Sequence, residues 1–112
     1  MAKSTKKHRA RAFTKQGGLC IYCACPMWQD SPEEFAKRHG MTVSQAMHHR
    51  CTAEHKVARQ DGGTDCAENI LAACHRCNQG RHKRKYPLTI EEFIRLVRQR
   101  LQLGRWHMVV FH

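Results

Sequence analysis

The chain has 112 residues, of which 41% are hydrophobic but only 7% aromatic, and its formal charge is +11, from 20 Lys and Arg against 9 Asp and Glu. That length suits one domain with a small core, and the charge is the electrostatic footprint of a nucleic-acid binder. No apolar run approaches membrane length, no secretory h-region follows the basic start, and the seven cysteines are odd in number, so metal-bound thiolates in a reduced cytoplasm are expected rather than disulfides.

Residues Met1 to about Gln16 read as a flexible basic arm. Lys3, Lys6, Lys7, Arg9, Arg11 and Lys15 carry it, and no apolar stripe recurs at helical spacing. Such an arm suits phosphate contact, because each neutralised phosphate releases counterions. The remainder, 17–112, reads as one domain. Gly17-Gly18 leads into Cys20-Ile-Tyr-Cys23, a tight turn that presents two thiolates to one metal, with Cys25-Pro26 directly behind it.

Ser31-Pro32-Glu33-Glu34 is a helix start, with Ser as N-cap and Pro in the first turn. That helix should run to about His39 and stop at Gly40. Thr42-Val43-Ser44-Gln45 offers a second capping box, opening a short helix to about His49. Together these form a helical insert at about 32–49. Thr52 to Val57 reads as a strand and Ile70 to Ala73 as its partner, with the turn signal Asp61-Gly62-Gly63-Thr64 between them. A helix should begin just after Cys74 and reach about Lys85, before Pro87. Thr89-Ile90-Glu91-Glu92 caps a last helix at about 90–103, with Ile90, Phe93, Ile94, Val97 and Leu101 at core spacing. Trp106 to Phe111 is a short apolar tail, read as an edge strand.

Two constellations carry chemistry. Cys20-x-x-Cys23 and Cys74-x-x-Cys77 are two thiolate knuckles, which together read as a closed tetrahedral zinc site. Cys25, Cys51 and Cys66 are left over; Cys25 competes with Cys23, but the two-residue spacing favours the latter. Glu54, His55, Asn78 and His82 are oxygen or nitrogen donors. Carboxylate and amide oxygens suit Mg²⁺; imidazole suits Mn²⁺, Ni²⁺, Co²⁺ or Zn²⁺. Asn78 and His82 are four apart and share a helix face, whereas adjacent Glu54 and His55 leave a strand on opposite sides. One of the latter two can bind a metal while the other faces elsewhere. A metal with an uncoordinated histidine nearby is equipment for hydrolysing a phosphodiester.

Glu54-His55, Gly62-Gly63-Thr64, Glu68-Asn69-Ile70 and Cys74-His75-Arg76-Cys77-Asn78, in this order, closely resemble the HNH endonuclease family in its branch with four zinc-binding cysteines. The resemblance runs from about Gly17 to Lys85, apart from the insert. It implies an α+β chain: a small zinc-stapled ββα-metal fold (the His-Me finger) with additional helices. It implies His55 as general base and Asn69 as the residue that bonds the hairpin loop and orients the base. Glu54 and Asn78 would hold a catalytic divalent ion, Mg²⁺ or Mn²⁺ first and Ni²⁺, Co²⁺ or Zn²⁺ as further options, with His82 as an additional ligand. Glu54 stands where Asp or His is usual, and Asn78 where many relatives carry His. Cys20, Cys23, Cys74 and Cys77 would hold structural Zn²⁺. Arg59 in the hairpin loop, with Arg81, Lys83, Arg84 and Lys85 on the following helix, would contact phosphates, which positions the chain without reading sequence. The implied activity is hydrolysis of DNA, in the cytoplasm of a bacterial or phage-infected cell. A catalytically silent zinc-stapled nucleic-acid-binding protein fits the charge and the cysteines equally well; Glu54-His55 with Asn78 is what such a module does not need. An RNA-binding zinc protein would call for more aromatics at basic surfaces.

Overall fold

The computed structural model describes residues 3–58, 61–108 and 111. At its centre is an antiparallel hairpin of β1 (Cys51–His55) and β2 (Ile70–Cys74), in register from Cys51 opposite Cys74 to His55 opposite Ile70. Small side chains dominate it: Ala72 and Ala73 are fully buried. With so little volume on the strands, the neighbouring elements sit close to the backbone. The connecting loop turns through Gly62 and Gly63. A Cβ at Gly63 would run into the Val57 carbonyl, so only glycine fits there.

Lys3–Lys15 is helix α1, where the sequence reading expected an irregular arm. The helix was invisible to periodicity because it docks through small and polar residues. Thr5 and Ala12 are buried against the hairpin, and Phe13 packs beside Ala12. Just past its end, Gln16 pairs with one strand residue in both directions: Oε1 accepts from Ala72 N–H at 2.9 Å and Nε2 donates to Ala72 C=O at 2.9 Å. The amide thus serves as a third strand along part of β2.

Helix α2 (Pro32–His39) starts and stops where its caps dictate. The Ser31 side chain accepts from Glu34 N–H, and Gly40 takes the left-handed conformation at φ 65°. Helix α3 (Val43–Ala46) has the full reciprocal box between Thr42 and Gln45, and a 3₁₀ turn at Met47–His49 extends it. This insert forms a separate small cluster: Phe35, Ala36 and Ala46 are buried, with Trp28, Met41 and Phe111 against them.

Helix α4 (His75–His82) leaves directly from β2 and ends about one turn earlier than expected. Arg84 N–H bonds back to Arg81 C=O, a tighter three-residue turn, and the Arg81 side chain ties the following chain down at Leu88 C=O. Helix α5 (Ile90–Gln102) has the Thr89–Glu92 capping box and sends Phe93 and Val97 into the core. There Phe93 meets Tyr22 and Trp106 edge-on, with centroids 4.9 and 5.9 Å apart. The expected edge strand at the tail is corrected over 106–108 and 111, which carry no strand; residues 109 and 110 lie outside the described residues. Trp106 is instead a core residue. Among the described residues no helix is long and apolar enough to cross a membrane. Over the described residues the chain is a small α+β unit with a two-stranded antiparallel sheet.

Candidate functional site

The turn after α1 and the β2–α4 junction meet at the cysteines. The sulfur atoms of Cys20, Cys23, Cys74 and Cys77 all lie within 4.8 Å of one another, and all four residues are buried. Cys23 and Cys74 Sγ are 3.9 Å apart. A tetrahedron with Zn–S bonds of about 2.3 Å has sulfurs roughly 3.8 Å apart, so the geometry fits. The surrounding donors fit as well. Tyr22 and Cys74 N–H point at Cys20 Sγ at 3.4 and 3.3 Å. Trp106 Nε1 donates to Cys77 Sγ at 3.2 Å, and His107 Nε2 lies 3.4 Å from Cys23 Sγ. An indole N–H can only donate, so Cys77 sulfur accepts. Burial pushes the Cys20 thiol up, but hydrogen bonds from Cys23, Cys74 and Cys77 outweigh it and bring it well below the ordinary thiol value. Burial, then the hydrogen bonds of the other three cysteines, push Cys77 far up. Four buried sulfurs this close could hold a structural metal such as zinc. Cys25 lies outside the foursome, half-buried, with its Sγ on Cys23 C=O at 3.7 Å. The Cys23 hydrogen bond, then burial, push its thiol up.

The second constellation sits between β1 and α4. Glu54 is buried, 1% exposed, and faces the helix. Its carboxylate accepts from Tyr22 Oη at 2.9 Å, meets His82 Nε2 at 2.7 Å and pairs with Arg81 at 3.4 Å. Burial pushes the Tyr22 phenol up and the Glu54 charge adds to it, so this hydroxyl stays a donor across the working pH range. Glu54 Oε1 and His82 Nε2 offer one hard oxygen and one imidazole at a single point. Asn78, one turn earlier on α4, is not joined to them. Its Nδ2 donates to Thr52 Oγ1 and Ala53 C=O, each at 3.0 Å, holding the helix on β1. Among the described residues the Glu54–His82 pair belongs to no group of three His, Cys, Asp or Glu ligand atoms.

His55 leaves the opposite side of β1 and meets Asp65 of the hairpin loop, with Nε2 2.7 Å from Oδ1. Asn69 staples that loop. Its Oδ1 accepts from Val57 N–H at 2.9 Å, and its Nδ2 donates to Val57 and Thr64 C=O at 3.0 and 2.7 Å.

Of the basic residues, Lys83 and Arg84 are exposed and Arg59 lies outside the described residues. The surface reading of Arg81 is corrected: it is 5% exposed, and its guanidinium donates to the carbonyls of Leu88, His55 and Lys56 at 2.9, 3.0 and 3.2 Å. A cation inside that many backbone acceptors is a staple. Sequence reasoning also missed Tyr22, Asp65, Trp106 and His107. Tyr22 lay inside the first knuckle and Trp106 and His107 beyond the last helix, with no spacing to link them to the site. Asp65 stood one residue past the Gly-Gly-Thr turn, and its adjacency to that turn was the one available signal. No family model matches the chain, and neither a curated protein nor a solved structure does.

Proposed function

We propose that this chain is a divalent-metal-dependent endonuclease of the HNH kind, hydrolysing DNA phosphodiester bonds around a zinc-stapled ββα-metal core. The observation that carries the reading is the junction of β1 and α4. Glu54 and His82 converge at 2.7 Å, and the very next strand residue, His55, is held by Asp65 in a loop pinned by Asn69. Glu54 and His82 would hold the catalytic ion, Mg²⁺ or Mn²⁺ by their donor types. A bound divalent ion supplies electrostatic stabilisation of charge developing on the phosphate and the leaving oxygen. His55 accepts a proton from the attacking water. Asn78 keeps α4 seated on β1, and Cys20, Cys23, Cys74 and Cys77 fasten the scaffold through zinc. DNA is the partner, met by Lys83, Arg84 and the basic face of α1.

The second reading is a silent zinc-stapled nucleic-acid-binding module. It is favoured by one observation: Glu54 already has three protein partners and needs no ion to be satisfied. Incubating purified protein with supercoiled plasmid across Mg²⁺, Mn²⁺, Ni²⁺, Co²⁺ and Zn²⁺ separates the two. Nicked or linear product is expected, with a loss of roughly 10²–10⁴-fold in His55→Ala and no loss of DNA binding. DNA binding without cleavage under every metal would establish the silent module.

A further inference from the structure

We infer that Asp65 is a positioning residue that fixes the ring tautomer of His55, an inference that rests on the reading of His55 as general base. A general base must present a bare nitrogen to water. Imidazole has two nitrogens, and a free neutral ring places its proton on either. In this chain the choice is made by a contact. Asp65 Oδ1 lies 2.7 Å from His55 Nε2, and the histidine side chain is only 15% exposed. An ionised carboxylate has no proton to give, so the hydrogen between them belongs to Nε2. Nδ1 of the neutral ring is then left with its lone pair. When Nδ1 takes a proton from water, the imidazolium formed is in direct contact with a carboxylate that offsets its charge.

Asp65 is itself held in place. Thr64 C=O, one residue earlier, accepts from Asn69 Nδ2 at 2.7 Å, and Asn69 N–H bonds Cys66 C=O, one residue later, at 3.0 Å. Asn69 also brackets Val57, two residues past His55, through both its N–H and its C=O. The asparagine therefore never touches the imidazole in these contacts. It sets the loop, the loop sets Asp65, and Asp65 sets His55. Gly63 belongs to the same chain of cause, because only a glycine lets the loop close against the Val57 carbonyl.

The test is nitrogen-15 NMR of the full-length zinc-loaded protein, without added divalent metal, above the pH at which the ring titrates. The two-bond couplings of the His55 ring report which nitrogen carries hydrogen. Wild type is expected to show a single Nε2–H tautomer. Asp65→Ala and Asp65→Asn both remove the charge that makes Nε2–H obligatory, and a mixture of tautomers is expected in each. Zinc content and melting behaviour, read on the same samples, identify the folded variant to score; Asp65 lies in the hairpin loop and outside the four-cysteine cluster. In plasmid cleavage the same variants are expected to lose roughly 10- to 100-fold in kcat with KM little changed. An Nδ1–H tautomer in wild type, or an unaltered tautomer in the folded variants, overturns the inference. A tautomer that depends on Asp65 in a chain that cuts no DNA under any metal supports the positioning and sinks the nuclease reading instead.

Discussion

Glu54 is where one residue's burden can be weighed. Its carboxylate is the counter-charge of Arg81, whose side chain is 6% exposed. Removing one partner of a buried pair strands the other, at a cost of about 3–5 kcal/mol. Glu54→Ala is therefore expected to weaken the fold itself, seen as a drop of that size in urea unfolding. Glu54→Gln keeps the volume and still accepts from Tyr22, so it should fold yet bind Mn²⁺ more weakly in calorimetric titration. If Glu54→Ala is as stable as wild type, the buried network does not hold the hairpin to α4; if Glu54→Gln binds Mn²⁺ unchanged, Glu54 is not a ligand. At this scale the sequence was legible where identity alone fixes chemistry. Four cysteines at knuckle spacing came together, and Glu54 and His55 leave β1 on opposite sides, as strand alternation requires. What it hid were partners distant in sequence: Tyr22 stands 32 residues from Glu54, and only the folded hairpin shows that they touch.

Helices with strong local caps were legible almost to the residue, because Ser31, Thr42 and Thr89 satisfy helix N–H groups without help from the rest of the chain. Helix α1 was not, since it docks through Thr5, Ala12 and Phe13 with the Gln16 amide just past its end, and these make no apolar stripe. Its outward face carries Lys6, Lys7, Arg11 and Lys15, all exposed. With Lys56 and His8, Arg11 and Lys15 border a groove of about 530 Å³ floored by Ile21, Ile70 and Leu71. Charge reversal, Arg11→Glu with Lys15→Glu, should lower the slope of log affinity against log salt by about one for each lost phosphate contact. An unchanged slope would take α1 out of the proposed DNA interface. The insert makes a different expectation testable. His49 is 1% exposed in its 3₁₀ turn and stacks on His107 with centroids 4.3 Å apart. Burial, then the charges of His107 and His48, bring its pKa down from 6.5 to about 4; Cys20 opposes the fall and His39 adds to it. The folded state therefore refuses a proton that the unfolded chain accepts between those values. Stability contributed by neutral His49 is intact above pH 6.5 and is lost as pH falls toward about 4, at no more than roughly 1.4 kcal/mol per pH unit. His49→Phe removes that dependence. A metal held by the four cysteines would be lost in acid from both proteins, so the quantity to read is their difference in unfolding free energy. Between about pH 7.5 and about pH 5.5 it should move by about 1 kcal/mol in favour of the variant; a difference that does not change with pH would show that His49 does not govern acid stability.

Across the whole molecule, the four cysteines bring together parts of the chain that lie far apart in sequence. Cys23 and Cys74 are 51 residues apart in sequence, and their sulfurs are 3.9 Å apart in space. Between them run the helical insert, β1 and the hairpin loop. Behind Cys77 stand Trp106 and, through it, α5. Treated as a cross-link, a metal closing a loop of that length removes chain entropy from the unfolded state worth on the order of 4 kcal/mol. A chain of this size has a net stability of only about 6–17 kcal/mol. A metal held by the four cysteines would therefore supply a large share of that margin. Chelation, or Cys74→Ser, should therefore unfold the protein cooperatively, with circular dichroism and zinc release moving together at one midpoint. Cys66→Ser controls for the loss of a thiol, because Cys66 is exposed in the hairpin loop and outside the foursome; it should bind zinc and melt as wild type does. A Cys74→Ser protein that keeps both its zinc and its melting temperature would show that the hydrophobic core alone holds β1, β2 and α4 together.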